Sequence, residues 1–419
     1  MPHELAPARR LSTSTLPRDV VLFSTADWDH PFWTNKQRVA CQLAARGFRV
    51  LYVESLGLRR PSAGTRDLGR IWRRVTRSLA APREVAERIW VTSPLVVPAH
   101  ASRHMRHFND WILKLRLRRT ISALRFNRPI VWTYNPLTAS IARELDPSLL
   151  VYHAVDDLSA VPGVAGEAIC EAERALARQA DVVFATSTNL ESRLKQLRTE
   201  QLRPDAVHFL PNVADYQHFS IARTGGPIPK DLAAIPRPRI GFIGAISSYK
   251  VDFRMIAEVA RQRPSLHWVL VGQVGEGQPQ TSVEALRLPN IHLLGPRDYR
   301  VLPDYLRGMD VATIPAARNP YTAAMFPMKF FEYLAAGKPV VAANVPALEP
   351  YRAACQLVDN GQDFAAAIDR ALRGEGPDQA IGDKLARTFT WDWRMAEMIA
   401  IIERAWAGCT KGLPPARAA

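Results

Sequence analysis

The sequence predicts an α/β protein of two Rossmann-like domains, each built on a parallel sheet. Three observations predict it. At 419 residues the chain exceeds one ordinary compact core and suits two. Short continuous runs of Val, Ile and Leu alternate with amphipathic helical stretches, as strands covered on both faces require. The alternation runs twice, on either side of a Pro- and Gly-rich stretch without a strong period at 222–238. The expected division is therefore a first domain over 1–221, a linker over 222–238 and a second domain over 239–392. A C-terminal helix over 393–410, packing back on the first domain, and a tail over 411–419 complete it.

The first strand is Val20–Phe23, followed by the polar loop STADWDHPFWTNK. A helix begins near Thr34, with Val39, Ala40, Leu43 and Ala44 on one face and Gly47 as its stop. Val50–Val53 completes a βαβ unit. Ile89–Thr92 and Leu95–Val97 are short strand candidates. Residues 103–119 read as a helix carrying Met105, Phe108, Trp111, Ile112 and Leu115 on one stripe, with Arg116, Arg118 and Arg119 at its C-terminal end, where cations suit the helix dipole. Strands follow at Ile130–Thr133, Leu149–Tyr152, Val182–Ala185 and Val207–Leu210, with a helix over Glu167–Gln179. The second series has strands at Ile240–Ile243, Trp268–Val271, Ile291–Leu293, Val311–Ile314, Val340–Ala342 and Gln356–Val358. Helices are expected at Phe253–Arg261, Val301–Arg307, Lys329–Ala336, Phe364–Leu372 and Trp393–Trp406.

Composition narrows the function classes. Hydrophobic residues make up 47% of the chain, which excludes disorder over most of it. The four cysteines, Cys41, Cys170, Cys355 and Cys409, are far apart with no CxxC pair, which argues against a disulfide framework or a cysteine zinc site and suits a reducing cytoplasm. The N-terminus lacks the apolar stretch of a signal peptide, and no run approaches the ~20 apolar residues of a membrane span. The net charge is +15, and residues 55–119 hold 15 Lys and Arg against 4 Asp and Glu. Arg66, Arg70, Arg73, Arg74 and Arg77, with Ile71 and Trp72 among them, recur at helical spacing and suit an anionic membrane surface. Nucleic acid is not expected as a partner, because no zinc finger or RRM signature accompanies the charge.

In open α/β sheets, ligands sit outside the carboxyl ends of the strands, and two such domains leave a cleft between them. The most informative segment there is Asn319–Ala343, NPYTAAMFPMKFFEYLAAGKPVVAA. A helix starting near Pro327 and stopping at Gly337 offers a phosphate its N-terminal N–H groups. Lys329 and Glu332, three apart, share a face: the cation offsets diphosphate charge, and the carboxylate can accept both hydroxyl protons of a ribose. The plain alternative is a solvent-facing intrahelical pair. Gly244 permits close backbone approach, or simply tight packing.

In the first half, the loop Asp27–Asn35 mixes Trp28, Asp29, His30, Trp33 and Asn35. Aromatic faces with carboxylate and amide groups suit a bound sugar, with Asp29 the leading residue; alternatively the tryptophans plug the domain face. Asp156 can orient a substrate hydroxyl or accept its proton, or it can cap the following turn.

These segments resemble the GT-B glycosyltransferases, specifically the retaining family numbered four, in its bacterial exopolysaccharide and teichuronic-acid-type branch. The resemblance rests on VVLFSTADWDHPFWTNKQRVACQLAARGFRVLYVE, LLVYHAVDD, PNVADYQHF, RPRIGFIGAISSYKVD, FPMKFFEYLAAGKPVVA and the closing TWDWRMAEMI. It implies a GT-B fold and a nucleotide-sugar donor, UDP- or GDP-linked, with no tightly bound cofactor and no metal. It also implies a saccharide acceptor, in this branch commonly carried on polyprenyl diphosphate at the inner leaflet, and hence a cytoplasmic protein peripherally bound there. Lys250 and Lys329 correspond to diphosphate contacts, Glu332 to the ribose-holding carboxylate and His153 to a histidine near the reacting carbon. Two positions depart from the pattern. Ala324 replaces the first of a pair of Glu, and Ala245 stands where Arg is frequent, with Arg254 able to reach the same area. Two other readings stand: a sugar-nucleotide epimerase, which can use the same architecture, and a non-catalytic carbohydrate- or membrane-binding protein, which the two departures keep open.

Overall fold

The computed structural model describes residues 16–30, 33–56, 80–94, 103–199 and 204–410. The chain forms two compact units. The first takes in the described residues up to Ala185, then Leu190–Leu210 and those from Met395 onward; the second comprises Thr186–Asn189 and Pro211–Arg394.

The first unit is built on eight strands: β1 (Asp19–Phe23), β2 (Arg49–Val53), β3 (Arg83–Ala86), β4 (Ile89–Thr92), β5 (Ile130–Thr133), β6 (Leu150–Ala154), β7 (Val182–Ala185) and β8 (Val207–Phe209). They lie in the order β3-β4-β2-β1-β5-β6-β7-β8. All pairs are parallel except β3 with β4, an antiparallel hairpin at the edge. The sequence reading does not anticipate β3, because Arg-Glu-Val-Ala has no apolar run; charged residues of this kind suit an exposed edge. The central strands are buried along their whole length, Val20, Val21, Val50 and Leu51 being fully inaccessible. The expected strand Leu95–Val97 and the Arg66–Arg77 set lie outside the described residues.

Helix α1 (Asn35–Ala45) follows β1 and opens with a capping box between Thr34 and Gln37. Helix α2 (Arg103–Ala123) is longer than expected, and its apolar stripe faces outward in large part. Asn109, Leu113, Leu117 and Thr120 face inward, while Phe108, Trp111 and Leu115 are exposed. Helix α3 (Gly166–Gln179) precedes β7, and α4 (Thr188–Thr199) follows it.

The second unit has six parallel strands, β9 (Arg239–Ile243), β10 (His267–Val271), β11 (Ile291–Gly295), β12 (Val311–Ile314), β13 (Val340–Ala343) and β14 (Gln356–Val358). Their order is β11-β10-β9-β12-β13-β14. Helices α5 (Phe253–Gln262), α6 (Leu302–Gly308), α7 (Lys329–Ala335), α8 (Gly361–Leu372) and α9 (Gln379–Thr388) join them, and two apolar clusters fill the two faces of the sheet. Residues 222–238 take in the end of the helical turn Ile221–Arg223 and a second turn, Lys230–Ala233, with Leu232 fully buried in one of those clusters. The last helix, α10 (Trp391–Thr410), begins in this unit and continues into the first.

Both sheets are doubly wound. The chain runs outward from β9 to β10 and β11, then returns to lay β12 on the other side of β9. In the first unit the reversal falls between β1 and β5. The carboxyl ends flanking such a reversal are where an open α/β sheet leaves a crevice.

Candidate functional site

In the second unit the reversal point is built by β9, β12 and α7. Strands β9 and β12 pair only at Ile240–Val311 and Gly241–Ala312, and then diverge. Two side chains close the gap. The Thr313 hydroxyl donates to the Gly241 carbonyl at 2.9 Å, and the backbone N–H of Ile243 donates to the Tyr333 hydroxyl oxygen at 2.9 Å. Tyr333 comes from α7 and is fully inaccessible, so burial drives its phenol pKa well above the ordinary value.

Immediately beyond Ile243, the Lys329 side chain lies against Gly244. A Cβ at 244 would sit 1.9 Å from Lys329 Cε, so only glycine lets the two meet. Gly272, after β10, is constrained likewise: its Cβ would fall 1.8 Å from the Gly244 carbonyl oxygen. The Lys329 ammonium stands 5.9 Å from the centre of the Phe242 ring, at the carboxyl end of β9. Glu332 follows one turn later on α7 and is half-buried.

Lys250 stands on the loop after β9. Its N–H and that of Val251 both donate to the Ser247 carbonyl at 2.9 Å, folding the loop tightly. Its ammonium lies 5.4 Å from the Tyr249 ring centre and 5.9 Å from that of Tyr321, within reach of favourable cation–π attraction. Asn319 fixes this corner by donating to the Tyr249 carbonyl at 2.7 Å while capping the turn Pro320–Ala324. Ala324, in the place of the family's first Glu, is buried, and Arg254 is exposed on the first turn of α5.

Helix α7 spans only two turns, and its far end is tied down. Arg223 donates to the Ala335 carbonyl at 2.6 Å and the Leu334 carbonyl at 2.7 Å, and pairs with Asp383 at 2.8 Å. Gly337 ends the helix with φ of 68°. Lys338 turns away to the carbonyls of Met309 and Arg307, at 2.8 and 3.2 Å. The Lys of the Gly-Lys-Pro sequence thus serves the fold, and burial holds its pKa below the ordinary lysine value. Phe331 stacks on Phe326 and Phe389, with ring centres 5.6 and 4.9 Å apart, and roots the helix in the core.

In the first unit, the loop after β1 is tied to its neighbours. The Ser24 and Tyr52 hydroxyls meet at 2.6 Å, and Glu54 accepts from the Trp28 N–H at 2.9 Å and from the Ser93 hydroxyl. Trp28 is 7% exposed and packs edge-on against Tyr52, so it plugs the unit, whereas Trp33 is 37% exposed. Asp29 is exposed and pairs with Arg83 on β3 at 2.6 Å. His153, which the resemblance sets near the reacting carbon, does not reach the surface of its unit. Its side chain is fully buried, its ring tilted against that of Tyr134 with centres 4.7 Å apart and flanked by Trp132 and Phe184. The capping role considered for Asp156 belongs to Asp157, which accepts from the Ser159 N–H at 3.1 Å; Asp156 remains half-exposed beside it. Asp157 also pairs with Arg193 at 2.8 Å, and Arg193 reaches Glu173 at 2.9 Å, whose other oxygen accepts from the Tyr152 hydroxyl at 2.6 Å. This buried network fixes the loop that carries Asp156. Burial raises the Glu173 carboxyl above the ordinary range, against the opposing pull of Arg193.

Sequence reasoning missed Tyr333, Arg223 and Lys36. Lys36, in the first turn of α1, is 7% exposed, with its ammonium 5.7 Å from the Tyr134 ring centre. A lysine at the start of an amphipathic helix reads as solvated; only the fold shows it turned inward.

Residues 237–374 match the family model described as "Glycosyl transferases group 1". Over 231 residues the chain is 34% identical to TuaH of Bacillus subtilis (strain 168), whose assignment as a teichuronic acid biosynthesis glycosyltransferase is itself provisional. That match covers 54% of this chain and 57% of the relative, so it spans little more than half of either. Among solved structures, sucrose-phosphate synthase of Thermosynechococcus elongatus superposes with a TM-score of 0.65 at 17% identity, covering 93% of this chain and all of that one. Anabaena HepE, in complex with UDP and glucose, gives 0.61 at 15% identity, covering 92% of this chain and all of that one. The E. coli trehalose-6-phosphate protein bound with UDP-2-fluoro glucose gives 0.63 at 13% identity, covering 91% and 98%. The chain therefore has the GT-B fold, and its residues 237–374 match the group 1 glycosyl transferase family model.

Proposed function

We propose that this chain is a glycosyltransferase (EC 2.4) that moves a sugar from a UDP- or GDP-sugar to a saccharide acceptor in cell-surface polysaccharide synthesis, with retention of configuration. One observation carries the reading. Lys329 is laid against Gly244 at the carboxyl end of β9, beside the reversal point of a group 1 glycosyl transferase domain. In the transfer, the bond from the anomeric carbon to the diphosphate oxygen breaks, and the electron pair leaves with the nucleoside diphosphate. The acceptor hydroxyl oxygen forms the new bond and loses its proton. Negative charge grows on the departing diphosphate, so cations preorganised there stabilise the transition state more than the ground state.

Lys329 and Lys250 take that load in place of a metal, Gly244 lets the phosphates approach the backbone, and Glu332 receives the ribose hydroxyls. HepE and the E. coli protein, whose structures hold UDP-linked ligands, support a nucleotide-sugar donor for the shared fold. In the first unit, Asp156 orients or deprotonates the acceptor hydroxyl, and Asp29 with Trp33 contacts the acceptor saccharide. His153, sealed beneath Tyr134, supports this surface from behind. The acceptor is carried on polyprenyl diphosphate, and the basic first half holds the chain to the cytoplasmic face of the membrane. Among the described residues, no helix is long and apolar enough to cross that membrane.

The test is to incubate a panel of nucleotide sugars with the protein, with and without membrane lipid extract, and follow released nucleotide and product. Acceptor-dependent release of one nucleoside diphosphate is expected. Conversion of donor alone into an isomeric nucleotide sugar identifies an epimerase instead, and no turnover with intact nucleotide binding identifies a non-catalytic binder.

A further inference from the structure

Helix α2 puts its apolar stripe on the wrong side for a core helix. Phe108 is 49% exposed, Trp111 61% and Leu115 39%, while Leu113 and Leu117 on the opposite face are 3% and 1% exposed. Spacings of three and four residues place Phe108, Trp111 and Leu115 on one line, which continues through the exposed Arg118, Arg119 and Ser122. Scattered exposed apolar residues need no explanation. Here two aromatic rings, 6.4 Å apart and stacked, join a leucine on a single outward face and pass directly into two guanidinium groups. At ~1.5 Å per residue the line from Phe108 to Arg119 runs about 16 Å.

We propose that this outward face of α2 is the surface by which the chain lies on an anionic lipid bilayer. The inference rests on the membrane reading above and names the surface responsible. An interfacial helix buries an apolar stripe some 5–10 Å deep and keeps its cations at the headgroups. Tryptophan favours that depth, because its ring is apolar and its N–H finds a polar partner there. The carboxylates beside the helix are engaged: Glu144 with Lys114, and Asp110 as acceptor from the Ser140 hydroxyl at 2.7 Å. Arg118 leans on the Glu144 carbonyl at 2.7 Å yet stays exposed. Charge decides between occupants. Two copies of a chain carrying +15 repel one another, whereas an anionic bilayer attracts the window 55–119, in which 15 Lys and Arg face 4 Asp and Glu.

The experiment is co-sedimentation of the full chain with phosphatidylcholine vesicles and with phosphatidylcholine–phosphatidylglycerol vesicles. The comparison is with Phe108→Ser/Trp111→Ser and with Arg118→Glu/Arg119→Glu, each checked for an unchanged unfolding midpoint. Wild type should bind the anionic vesicles and release in high salt. Each double variant should bind at least about tenfold more weakly, as loss of two interfacial anchors requires. Brominated-lipid quenching of tryptophan fluorescence should fall in Trp111→Phe while that variant still binds. Wild-type affinity for anionic vesicles in the Phe108→Ser/Trp111→Ser variant overturns the assignment of this face and leaves the membrane reading standing. No binding by wild type overturns both. A wild-type dimer in sedimentation velocity that Trp111→Ser dissolves makes a second copy the occupant and also overturns it. UDP titration of the same proteins reports the donor site separately.

Discussion

Lys329 and Gly244 form the contact on which the proposed donor site rests, and each can be tested alone. Lys329→Ala removes the cation at the carboxyl end of β9 and should weaken binding of UDP or GDP by about tenfold or more, as loss of one charge-assisted phosphate contact does. Gly244→Ala keeps the lysine but drives a methyl group into its Cε, so the side chain must leave its place. Nucleotide affinity should fall comparably in that variant, as isothermal calorimetry will show. Tyr333→Phe is a subtler probe. It deletes the oxygen that accepts from the Ile243 N–H and leaves that buried donor unsatisfied. Urea denaturation should show a loss of about 1–3 kcal/mol. Lys329 and Glu332 stand out as candidates in the sequence because they are charged residues at helical spacing within an apolar motif. Tyr333 does not: among Phe330, Phe331 and Leu334 it reads as one more core residue, and only the fold shows its hydroxyl bridging diverging strands.

Helix α7 has two turns, so its position depends on what holds its ends. Arg223→Met removes both donors from its C-terminal carbonyls and should destabilise the second unit by about 1–3 kcal/mol in urea denaturation. Strands β10 and β11 carry a pH dependence of their own. His267 and His292 stack and meet at 3.1 Å, and burial followed by the neighbouring His267 lowers the His292 pKa below 6.5. The folded chain therefore binds this proton less readily than the unfolded one. The contribution is intact above pH 6.5 and is lost as pH falls from 6.5 through the depressed value. Unfolding midpoints should drop over that window, and His292→Gln should flatten the drop. Periodicity located most strands and long helices because parallel strands buried on both faces leave unbroken apolar runs. It could not orient α2: an amphipathic pattern shows that two faces differ, not that the apolar one meets protein. Nor could it find β3, whose Arg83 and Glu84 lie opposite Val91 and Trp90 of β4 at an exposed edge.

Across the whole molecule, two doubly wound sheets each provide a reversal point, and the chemistry is divided between them in the reading proposed here. In that reading the second unit would hold the nucleotide and its diphosphate through Lys329, Lys250, Gly244 and Glu332. The first would supply the acceptor surface around Asp29, Trp33 and Asp156, and the face of α2 would set it on the membrane. The GT-B fold was legible in strand order and motif together. The acceptor side was less so, because its candidate residues sit on loops whose side chains are turned by tertiary contacts: Trp28 inward, Lys36 under Tyr134, His153 out of reach.

The donor assignment is tested most directly by calorimetric titration of wild type and Glu332→Ala with UDP and with GDP. Wild type should bind one of the two nucleotides, and Glu332→Ala should bind it about tenfold or more weakly, since two ribose hydroxyls lose their acceptor. Unchanged affinity of Glu332→Ala for the cognate nucleotide, or no binding of either nucleotide by wild type, contradicts the assignment.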